Sequence, residues 1–376
     1  MKRNNIIYLD NAATTMPNNV VVSLYEQIEK EHFGNPNSIH KLGVDANTYL
    51  AKAREVILNA FKCKSHRVIF TASSTEANNL AIKGYCLNYQ SRGKHIITTN
   101  VEHPSVLECF KQLKEAFGFK VTILEVNENG VINLNDLKQA LNNETILVSI
   151  MAVNNEIGSI NNIKEIAKIV HSFPKAMLHV DTTQAIGKVD LPYEDIDMFV
   201  VSAHKLHGLK GSGCLVTKKT ISFLPVISGG GQEDGFRSGT QSVAHACALA
   251  KAIQLAMAKK GDHVKEMNSL LRSEVSKIDG VHINSDENAS PYIFNFSLTK
   301  KKAAVVVEAL SNENILVSSV SSCHSKREPS SYVVEAISHD KVLAANTIRV
   351  SLDETNTIEE IKEFINSLKH ILETIK

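Results

Sequence analysis

The sequence predicts an α/β protein in which a large domain on a mostly parallel sheet is followed by a smaller α+β domain. Three observations support this prediction. The chain has 376 residues, and single hydrophobic cores stop growing beyond about 250–300 residues. Short β-branched runs alternate with helical periodicity through most of the chain. This rhythm changes near Gly229–Gly231.

The first part of the chain places a predicted helix between successive predicted strands. The strands are expected at Arg67–Phe70, His95–Thr99, Val121–Glu125, Ile146–Met151, Leu178–Val180 and Met198–Ser202. The helices are expected at Thr75–Tyr89, Ser105–Phe117, Leu134–Leu141 and Ile163–Ser172. Because these strands are apolar along their length, we expect a mostly parallel sheet that is covered on both faces.

The last part of the chain lacks this strict alternation, which favours a smaller α+β domain. Its predicted elements are helices Ala244–Lys259 and Val264–Ile278, strands Val281–Asn284 and Tyr292–Leu298, helix Ala303–Ser311, strands Ile315–Ser318 and Thr347–Leu352, and helix Ile358–Ile375. We therefore predict a large domain over residues 14–255 and a small domain over residues 256–376. Residues 1–13 could join either domain, and packing on the smaller one is our expectation.

Composition excludes several classes of function. The formal net charge is +1 and no basic block stands out, so neither nucleic-acid nor membrane-surface binding is expected. No apolar run approaches the roughly 18–20 residues that span a bilayer, and the N-terminus lacks the apolar stretch of a signal peptide. The 6 cysteines form no C-x-x-C pair, which argues against a disulfide framework or a zinc site. We expect a cytoplasmic protein without a metal.

Ligands of open α/β sheets bind beyond the carboxyl ends of the strands, so the residues that follow each strand are the candidates for function. After the first predicted strand, Ser73 and Glu76 match a capping box that opens a helix. The same helix start, with the hydroxyls of Ser74 and Thr75, could bind a phosphate. The two interpretations are compatible.

Three further strand ends carry polar side chains. His103 follows the second strand, Asn155 lies in an Asn-rich stretch after the fourth, and Asp181 follows the fifth. Taken singly, each is typical of a structural role: a histidine near a helix start, a turn, and a helix cap. Whether these residues are structural or functional depends on the other residues that lie at the strand ends.

Lys205 is the most specific of these residues. It follows the apolar strand Met198–Ser202 and precedes a Gly-rich loop, whereas its competitor Lys210 lies further along that loop and is expected to reach solvent. A lysine in such a recess loses hydration, which favours the neutral amine. A neutral amine is the form that condenses with an aldehyde cofactor.

Together the strand ends supply an anion site, a carboxylate, amides, imidazoles and a lysine. Pyridoxal phosphate needs such a set: a phosphate cradle, an acidic partner for its ring nitrogen and a lysine for its aldehyde. Neither the G-x-G-x-x-G nor the G-x-x-x-x-G-K-[ST] pattern of nucleotide sites is present after a strand. The residues therefore favour pyridoxal 5'-phosphate as the cofactor.

One cysteine differs from the other five. Cys86, Cys109 and Cys247 lie in helical patterns and Cys214 in a strand, where burial is the default; Cys63, between two lysines, could be exposed, with no group of interest near it. Cys323 lies in the polar loop Ser318–Pro329 beside His324, Lys326 and Arg327. Nearby cations favour the nucleophilic thiolate. Cys323 is therefore either a functional nucleophile or an incidental loop thiol.

Over nearly its whole length the chain resembles the cysteine desulfurases of the class V aminotransferase family. The resemblance rests on these blocks: Leu9–Thr15, Phe33–Pro36, Phe70–Thr71 with Ser74–Glu76, Glu102–His103, Val153–Gly158, Asp181 with Thr183–Gln184, Ser202 with His204–Lys205, Gly229–Gly231 with Arg237–Thr240, and Ile348–Leu352. It implies an aspartate aminotransferase-like fold with pyridoxal phosphate. Specificity for desulfuration is carried mainly by the loop with Cys323.

The resemblance also implies roles for individual residues. Lys205 would hold the cofactor and move protons, and Asp181 would pair with the ring nitrogen. His103 would stack on the ring, Gln184 would bind its phenolic oxygen, and Arg349 would clamp the substrate carboxylate beside Asn155. The phosphate would be held by Ser74, Thr75, Ser202 and His204, and by Thr240 of a neighbouring subunit, which implies a homodimer.

The implied reaction converts L-cysteine to L-alanine and leaves the sulfur as a persulfide on Cys323. An acceptor protein, either an iron–sulfur scaffold or a tRNA-thiolation enzyme, would then receive the sulfur. Three alternatives remain: a selenocysteine lyase, a transaminase on the same fold, and a non-catalytic sulfur-relay or assembly subunit. Cys323 argues against the transaminase, and the retained Lys205, Asp181 and His103 argue against the non-catalytic subunit.

The sequence departs from the family near the predicted nucleophile and at one loop. Val320 replaces a usual Gly, Ser322 a common Ala and His324 a usual Thr, and Asp234 stands where Arg is common. The residues predicted to hold the cofactor are unaffected by these departures. Their consequences are expected in the loop around Cys323.

Overall fold

The computed structural model describes residues 6–258, 261–319 and 330–375. Within these ranges the strands form a seven-stranded, a four-stranded and a two-stranded sheet. In chain order the strands are β1 (Ile7–Tyr8), β2 (His66–Thr71), β3 (His95–Thr99), β4 (Lys120–Leu124), β5 (Thr145–Ser149), β6 (Met177–Asp181), β7 (Met198–Ser202), β8 (Gly213–Lys218), β9 (Val281–Ile283), β10 (Ile293–Leu298), β11 (Ile315–Leu316), β12 (Ser318–Ser319) and β13 (Thr347–Ser351).

Helices cover the sheets, and most of them coincide with predicted segments. They are α1 (Asn19–Glu31), α2 (Lys41–Ala60), α3 (Ser74–Asn79), α4 (Tyr85–Tyr89), α5 (Pro104–Phe117), α6 (Leu134–Ala140), α7 (Ile163–His171), α8 (Val243–Met257), α9 (Asp262–Val275), α10 (Ala303–Asn312), α11 (Tyr332–Ser338), α12 (Lys341–Ala345) and α13 (Ile358–Thr374). Sequence patterning did not reveal α1, α2, α11 or α12. Short 3-10 turns occur at Tyr193–Asp195, Ala203–Lys205 and Glu233–Gly235.

The large sheet has the strand order β2-β8-β7-β6-β5-β3-β4. All of its strand pairs are parallel except those of β8, which runs antiparallel to both β2 and β7. Every residue of β3, β5 and β7 is buried. The prediction of a mostly parallel sheet covered on both faces is confirmed, and the carboxyl ends of its parallel strands meet at one edge.

The four-stranded sheet, β12-β13-β10-β9, is antiparallel, which confirms the predicted α+β character of the C-terminal part. A second hydrophobic core that includes Phe294, Phe296 and Phe364 packs on it. The first strand, β1, pairs in parallel with β11, and Leu9 belongs to this second core. The N-terminal segment therefore contacts the C-terminal sheet through Asp10 and Ser351, while Ala12 belongs to the core of the large sheet.

The proposed domain boundary between residues 255 and 256 falls inside α8, near its end. The two cores are not divided strictly at that point. Val333, Val334 and Ile337 of α11 pack into the core of the large sheet, although they come late in the chain. We keep 14–255 and 256–376 as proposed domains, with α11 as a contact between them.

Two segments that were each predicted as one continuous element are divided in the structure. The helix predicted over Thr75–Tyr89 is α3, a π-helical segment Leu80–Gly84 and α4. Gly84 there accepts a hydrogen bond from the Leu224 N–H (3.0 Å), and a Cβ at Gly84 would lie 2.8 Å from the Leu224 carbonyl oxygen. Such a widened turn keeps helical periodicity and so escapes a periodicity argument. The strand predicted over Ile315–Ser318 is β11 and β12, which pair in different sheets.

The cysteines largely match their predicted surroundings. The five that lie in the described ranges are free thiols, with Cys86, Cys109 and Cys214 buried. The prediction that Cys63 could be exposed is wrong, because it is only 5% exposed. No helix within the described ranges has both the length and the apolarity to cross a membrane. The cytoplasmic location stays a prediction.

Candidate active site

A cavity of about 840 Å³ lies at the carboxyl ends of the parallel strands. It gathers 10 of the 12 predicted site residues from distant parts of the chain. These residues are Ser74, Thr75, His103, Asn155, Asp181, Gln184, Ser202, His204, Lys205 and Arg349. His103, Asp181 and Lys205, which follow parallel strands, therefore lie at one cavity, as the position of the strand ends predicted.

Lys205 closes the 3-10 turn that follows β7. Its ammonium Nζ donates to the backbone carbonyls of Ala12 (2.5 Å) and Ala13 (2.6 Å). Burial, followed by the positive charges of Arg349 and Lys188, lowers the pKa of Lys205 to about 8. This confirms the expectation that its recess favours the neutral amine, while Lys210 is exposed as predicted.

The lowered pKa of Lys205 predicts a pH dependence for cofactor loading. Below a pKa of about 8, the neutral fraction of Lys205 rises about tenfold per pH unit, and above it the fraction is saturated. We expect the rate at which pyridoxal phosphate loads the apo-protein, followed by visible absorbance, to rise and then level off near that value. The same reaction with Nα-acetyl-lysine is the reference. A rate that climbs in parallel with this reference contradicts the prediction.

Asp181 ends β6 and is buried beside the cavity. Its Oδ2 accepts a hydrogen bond from the Asn78 side-chain amide (2.9 Å), and its Oδ1 accepts from the Thr183 backbone N–H (3.0 Å). These two donors fix the plane of the carboxylate. Asn78, a residue that sequence reasoning missed, therefore orients the predicted acid.

His103 caps α5 and presents its ring to the same cavity. Its Nδ1 accepts from the Ser105 backbone N–H (3.1 Å) and lies 2.8 Å from the Ser105 hydroxyl, which accepts from Asn78 (2.9 Å). Burial lowers the pKa of His103. The ring is therefore neutral, with its proton on Nε2.

The start of α3 confirms half of the predicted capping box. The Ser73 hydroxyl accepts from the Glu76 backbone N–H (3.2 Å). The other half is wrong, because the Glu76 carboxylate accepts instead from the Ala72 N–H (2.8 Å) and pairs with Arg237 (2.7 Å). An ion pair with a guanidinium competes well with a cap N–H.

His204 lies beside this helix start and lines the cavity. Burial, followed by the charges of Lys205 and Lys210, lowers the pKa of His204 to about 4. The imidazole is therefore neutral, and its Nδ1 lies 3.1 Å from the Thr14 hydroxyl.

Several polar atoms of the cavity have no partner among the residues that the structure describes. They are the side-chain oxygens of Ser202, Gln184, Thr183 and Asn155, and Nε of Arg349. Buried polar atoms are nearly always hydrogen-bonded, so these atoms indicate a bound molecule with several polar groups. Hydroxyls, amides, a carboxylate and a lysine of lowered pKa are the groups that pyridoxal phosphate requires, and the residues present fit it.

Arg349 extends from β13 and brings the C-terminal sheet to the cavity. Its Nη2 pairs with the Asp10 carboxylate (2.9 Å), and its Nη1 donates to the Asn155 carbonyl (2.9 Å). Asp10 was not predicted, although it lies within a block that carries the family resemblance. No local pattern marks it, because its contact with Arg349 spans 339 positions of sequence.

Glu156 is a second cavity residue that the sequence did not single out. The pKa of Glu156 is raised, because the effect of burial exceeds the opposing effects of a hydrogen bond from the Ser331 hydroxyl and the charge of Arg349. Ser331 is the N-cap of α11. The buried carboxylate thus anchors the chain directly after residues 320–329.

Two predicted site residues are not among those that line the cavity. Thr240 is exposed and lies outside it. Cys323 lies outside the described residues, as do Val320, Ser322 and His324. The flanking residues Ser319 and Ser330 both line the cavity.

The loop that carries Asp234 is held by its neighbour Glu233, which is buried. The Glu233 carboxylate accepts two hydrogen bonds from Arg54 (both 2.8 Å) and one from the Phe70 backbone N–H (2.8 Å). Asp234 itself is exposed and lies 3.7 Å from Arg67. Glu233 therefore ties this loop to β2.

We expect Glu233→Ala to destabilise the protein by about 3 kcal/mol, because it leaves Arg54 without its counter-ion; Arg54 is partly exposed, which places the effect at the low end of the range for broken buried pairs. Asp234→Ala is the matched control and should stay within about 0.5 kcal/mol. Urea-induced unfolding of both variants measures the difference. Equal midpoints for the two variants would show that the Glu233 network contributes no stability.

Comparison with known proteins agrees with the geometry. The sequence profile of the family Aminotransferase class-V matches residues 7–364. A NifS/IcsS protein homolog from Lactobacillus delbrueckii subsp. bulgaricus is 39% identical over 97% of this chain and 97% of its own. The cysteine desulfurase IscS of Dictyoglomus turgidum is 37% identical over 100% of this chain and 96% of its own. A solved NifS-like protein superposes with a TM-score of 0.91 at 34% identity, covering 98% and 100% of the two chains.

The fold and the cavity define a pyridoxal-phosphate-dependent enzyme. The chain belongs to the aminotransferase class-V family. The resemblance to the cysteine desulfurases of that family, inferred from the sequence blocks, is confirmed by relatives that carry this name.

Proposed function

We propose that this chain is a cysteine desulfurase that converts L-cysteine to L-alanine and holds the released sulfur as a persulfide on Cys323. One observation carries the proposal. Ser319 and Ser330, which flank the segment with Cys323, line the same cavity as Lys205. Both residues that flank the segment therefore lie at the cavity, which supports Cys323 as the acceptor of the sulfur.

Pyridoxal phosphate, when bound, supplies an electron sink that stabilises negative charge on the substrate. Asp181 would hold the proton on its ring nitrogen, and His103 would pack on its ring as a neutral imidazole. Gln184 would bind the phenolic oxygen. The phosphate would be held by Ser74, Thr75, Ser202 and His204. Each of these residues lines the cavity.

Lys205 would hold the cofactor and then, as a free amine, remove the α-proton of the substrate. A pKa of about 8 suits both tasks, because a base works best when its pKa lies near the working pH. The carbonyls of Ala12 and Ala13 hold its Nζ in place. The return of that proton by the ammonium form completes the cycle.

The proposed transfer of sulfur from L-cysteine to Cys323 needs no external oxidant. The thiolate of Cys323 attacks the sulfur of the substrate, a new S–S bond forms, and the bond between that sulfur and the β-carbon breaks. The electron pair of the broken bond stays with carbon, which takes up a proton. L-cysteine and one thiol thus give L-alanine and one persulfide.

Arg349 would bind the substrate carboxylate, with Asn155 beside it. The buried Nε of Arg349 has no hydrogen-bond partner among the described residues, so it can donate to a substrate. Asp10 pairs with Nη2 and fixes the orientation of the guanidinium group. Guanidinium and carboxylate form parallel hydrogen bonds that an ammonium group cannot reproduce. This geometry supports the proposed role of Arg349 in substrate binding.

For Arg349→Lys we expect KM for L-cysteine to rise about 10- to 100-fold, since a hydrogen bond between charged groups contributes about 1.5–3 kcal/mol. Lysine retains the charge, so kcat should change less than KM. Steady-state alanine formation measures both constants. Arg92→Lys, at a partly exposed arginine stacked on Tyr89, is the matched control. An unchanged KM would remove Arg349 from the substrate site.

The test of the proposed function is an assay of alanine and sulfide from L-cysteine in the presence of a thiol reductant. The proposal predicts the two products in equal amounts. Formation of alanine from selenocysteine but not from L-cysteine would instead identify a selenocysteine lyase. Protein that stays colourless after incubation with pyridoxal phosphate would identify a non-catalytic subunit.

We also propose a cytoplasmic homodimer in which Thr240 completes the partner's cavity. Thr240 is exposed and outside its own cavity, as a residue donated to a second subunit would be. Large apolar side chains at Val20, Phe33, Ile39 and Val44 are exposed on the single chain. Sedimentation that gives a monomer would contradict this arrangement. The proposed acceptor of the persulfide is an iron–sulfur scaffold or a tRNA-thiolation enzyme.

A further inference from the structure

Three side chains with metal-binding chemistry meet far from the cavity. Cys63 follows the end of α2, His66 begins β2, and Glu194 lies in the 3-10 turn before β7. β2 and β7 each pair antiparallel with β8, so both begin at the same end of the large sheet. That end is opposite the one at which Ser202 and Lys205 face the cavity.

The ligand atoms of these three residues lie within 4.8 Å of one another. The distance from His66 Nδ1 to Glu194 Oε2 is 3.6 Å. Around tetrahedral Zn²⁺, with bonds of about 2.0–2.3 Å, neighbouring ligand atoms lie roughly 3.3–3.8 Å apart. The group therefore needs only a small contraction to enclose such an ion.

The hydrogen bonds of His66 determine what its ring offers. His66 is buried, and its Nε2 lies 2.7 Å from the Ile196 carbonyl oxygen, which can only accept, so Nε2 carries a proton. Its Nδ1 lies 3.1 Å from the Ser65 hydroxyl and 3.6 Å from the Glu194 carboxylate. A cation at this position would take the place of the hydrogen bond with Ser65. The Ile196 carbonyl thus leaves Nδ1 as the ring nitrogen that faces Cys63 and Glu194. Histidines that bind metals are oriented by such a second hydrogen bond.

The other two ligands are held in suitable positions. Cys63 is buried, and its Sγ donates a hydrogen bond to the Phe61 carbonyl oxygen (3.7 Å). The Glu194 carboxylate accepts from the backbone N–H groups of Lys64 (2.9 Å) and Ser65 (3.3 Å), which hold it above the pair. Its side chain is 47% exposed, so solvent reaches the group from that side.

We propose that Cys63, His66 and Glu194 bind one zinc-class divalent cation, with water as the fourth ligand. A sulfur, a nitrogen and one oxygen select such an ion over magnesium or calcium, which prefer oxygen ligands alone. Binding releases the thiol proton of Cys63 to solvent, because the thiolate is the ligand. The expectation of no metal considered only C-x-x-C pairs and overlooked the C-x-x-H spacing of Cys63 and His66.

The position of the site assigns it a structural role. Its ligands come from the junction of α2 with β2 and from the turn that enters β7, so a bound ion would join these elements at the base of the large sheet. It would not touch the cavity. We expect the ion to raise the unfolding temperature and to leave alanine formation unchanged.

The rival arrangement is metal-free, with the Ser65 hydroxyl as the hydrogen-bond partner of His66 Nδ1 (3.1 Å). Cobalt(II) titration of the holoenzyme, after dialysis against a chelator, separates the two. The site predicts one equivalent of Co²⁺ per chain, visible d–d absorption of tetrahedral cobalt and a thiolate-to-cobalt charge-transfer band. Cys63→Ser should abolish that band and weaken binding at least about 10- to 100-fold. Glu194→Gln, at an exposed side chain, should also weaken binding without disturbing the fold.

Cys247→Ser is the matched control, because Cys247 is a free and only partly buried thiol on α8. It should retain both the band and the affinity. The proposal is overturned if no cobalt binds above the Cys63→Ser baseline. It is also overturned if Cys323→Ser, rather than Cys63→Ser, removes the charge-transfer band, since the ion would then bind near the active site.

Discussion

Lys205→Ala is expected to lower alanine formation from L-cysteine by about 1000-fold or more. The amine is proposed both to hold the cofactor and to move the α-proton, and loss of a general acid–base group alone costs about 100- to 10,000-fold. Without the covalent link, the variant should also lose its cofactor on gel filtration while the wild type keeps it. Visible absorbance and alanine assays on the same preparations measure both effects.

Lys210→Ala is the control for this variant, because Lys210 lies in the same loop but is exposed. It should retain both the colour and the activity. Turnover by Lys205→Ala within tenfold of wild type, with the cofactor retained, would show that another amine performs the chemistry. Lys205 differs from Lys210 because its Nζ is held by hydrogen bonds to the carbonyls of Ala12 and Ala13.

Cys323→Ala is expected to form no persulfide and to lose nearly all turnover with L-cysteine. Its cofactor site should remain intact, since the residues proposed to bind pyridoxal phosphate lie elsewhere in the cavity. The variant should therefore be as yellow as wild type, which separates it from Lys205→Ala. Mass spectrometry of the protein after one turnover detects the added sulfur on wild type.

Cys247→Ala is the matched control for Cys323→Ala and should form the persulfide normally. Alanine formation by Cys323→Ala at the wild-type rate would contradict the proposed acceptor. Such a result would favour a selenocysteine-type lyase, in which a protein thiol is not needed to receive the heteroatom. Together the two alanine variants distinguish a failure of the cofactor site from a failure of sulfur transfer.

The parts of the site that could be predicted depend on local rules. Apolar strands have recognisable periods, and the carboxyl ends of parallel strands share an edge, so His103, Asp181 and Lys205 could be brought together before any coordinates. The family resemblance added Arg349 and Gln184, which no spacing argument reaches. The structure places all five at one cavity.

The parts that could not be predicted depend on long-range packing. Asp10 meets Arg349, and Ser331 meets Glu156, through contacts that span 339 and 175 positions. The two lysines beside Cys63 indicated that it could be exposed, yet its side chain is buried after α2. Neighbouring residue types reveal little about such turns, since the direction of a side chain there is set by tertiary contacts.

The pairing of β1 with β11 has a consequence for synthesis on the ribosome. The Ile7 N–H donates to the Asn314 carbonyl, Leu9 pairs with Leu316, and Asp10 meets Arg349. Chains emerge from their N-terminus and fold domain by domain, so the segment that supports Lys205 waits for the last part of the chain to be translated. A nascent protein can build the large sheet early, but it acquires the finished cavity only after β11 and β13 have emerged.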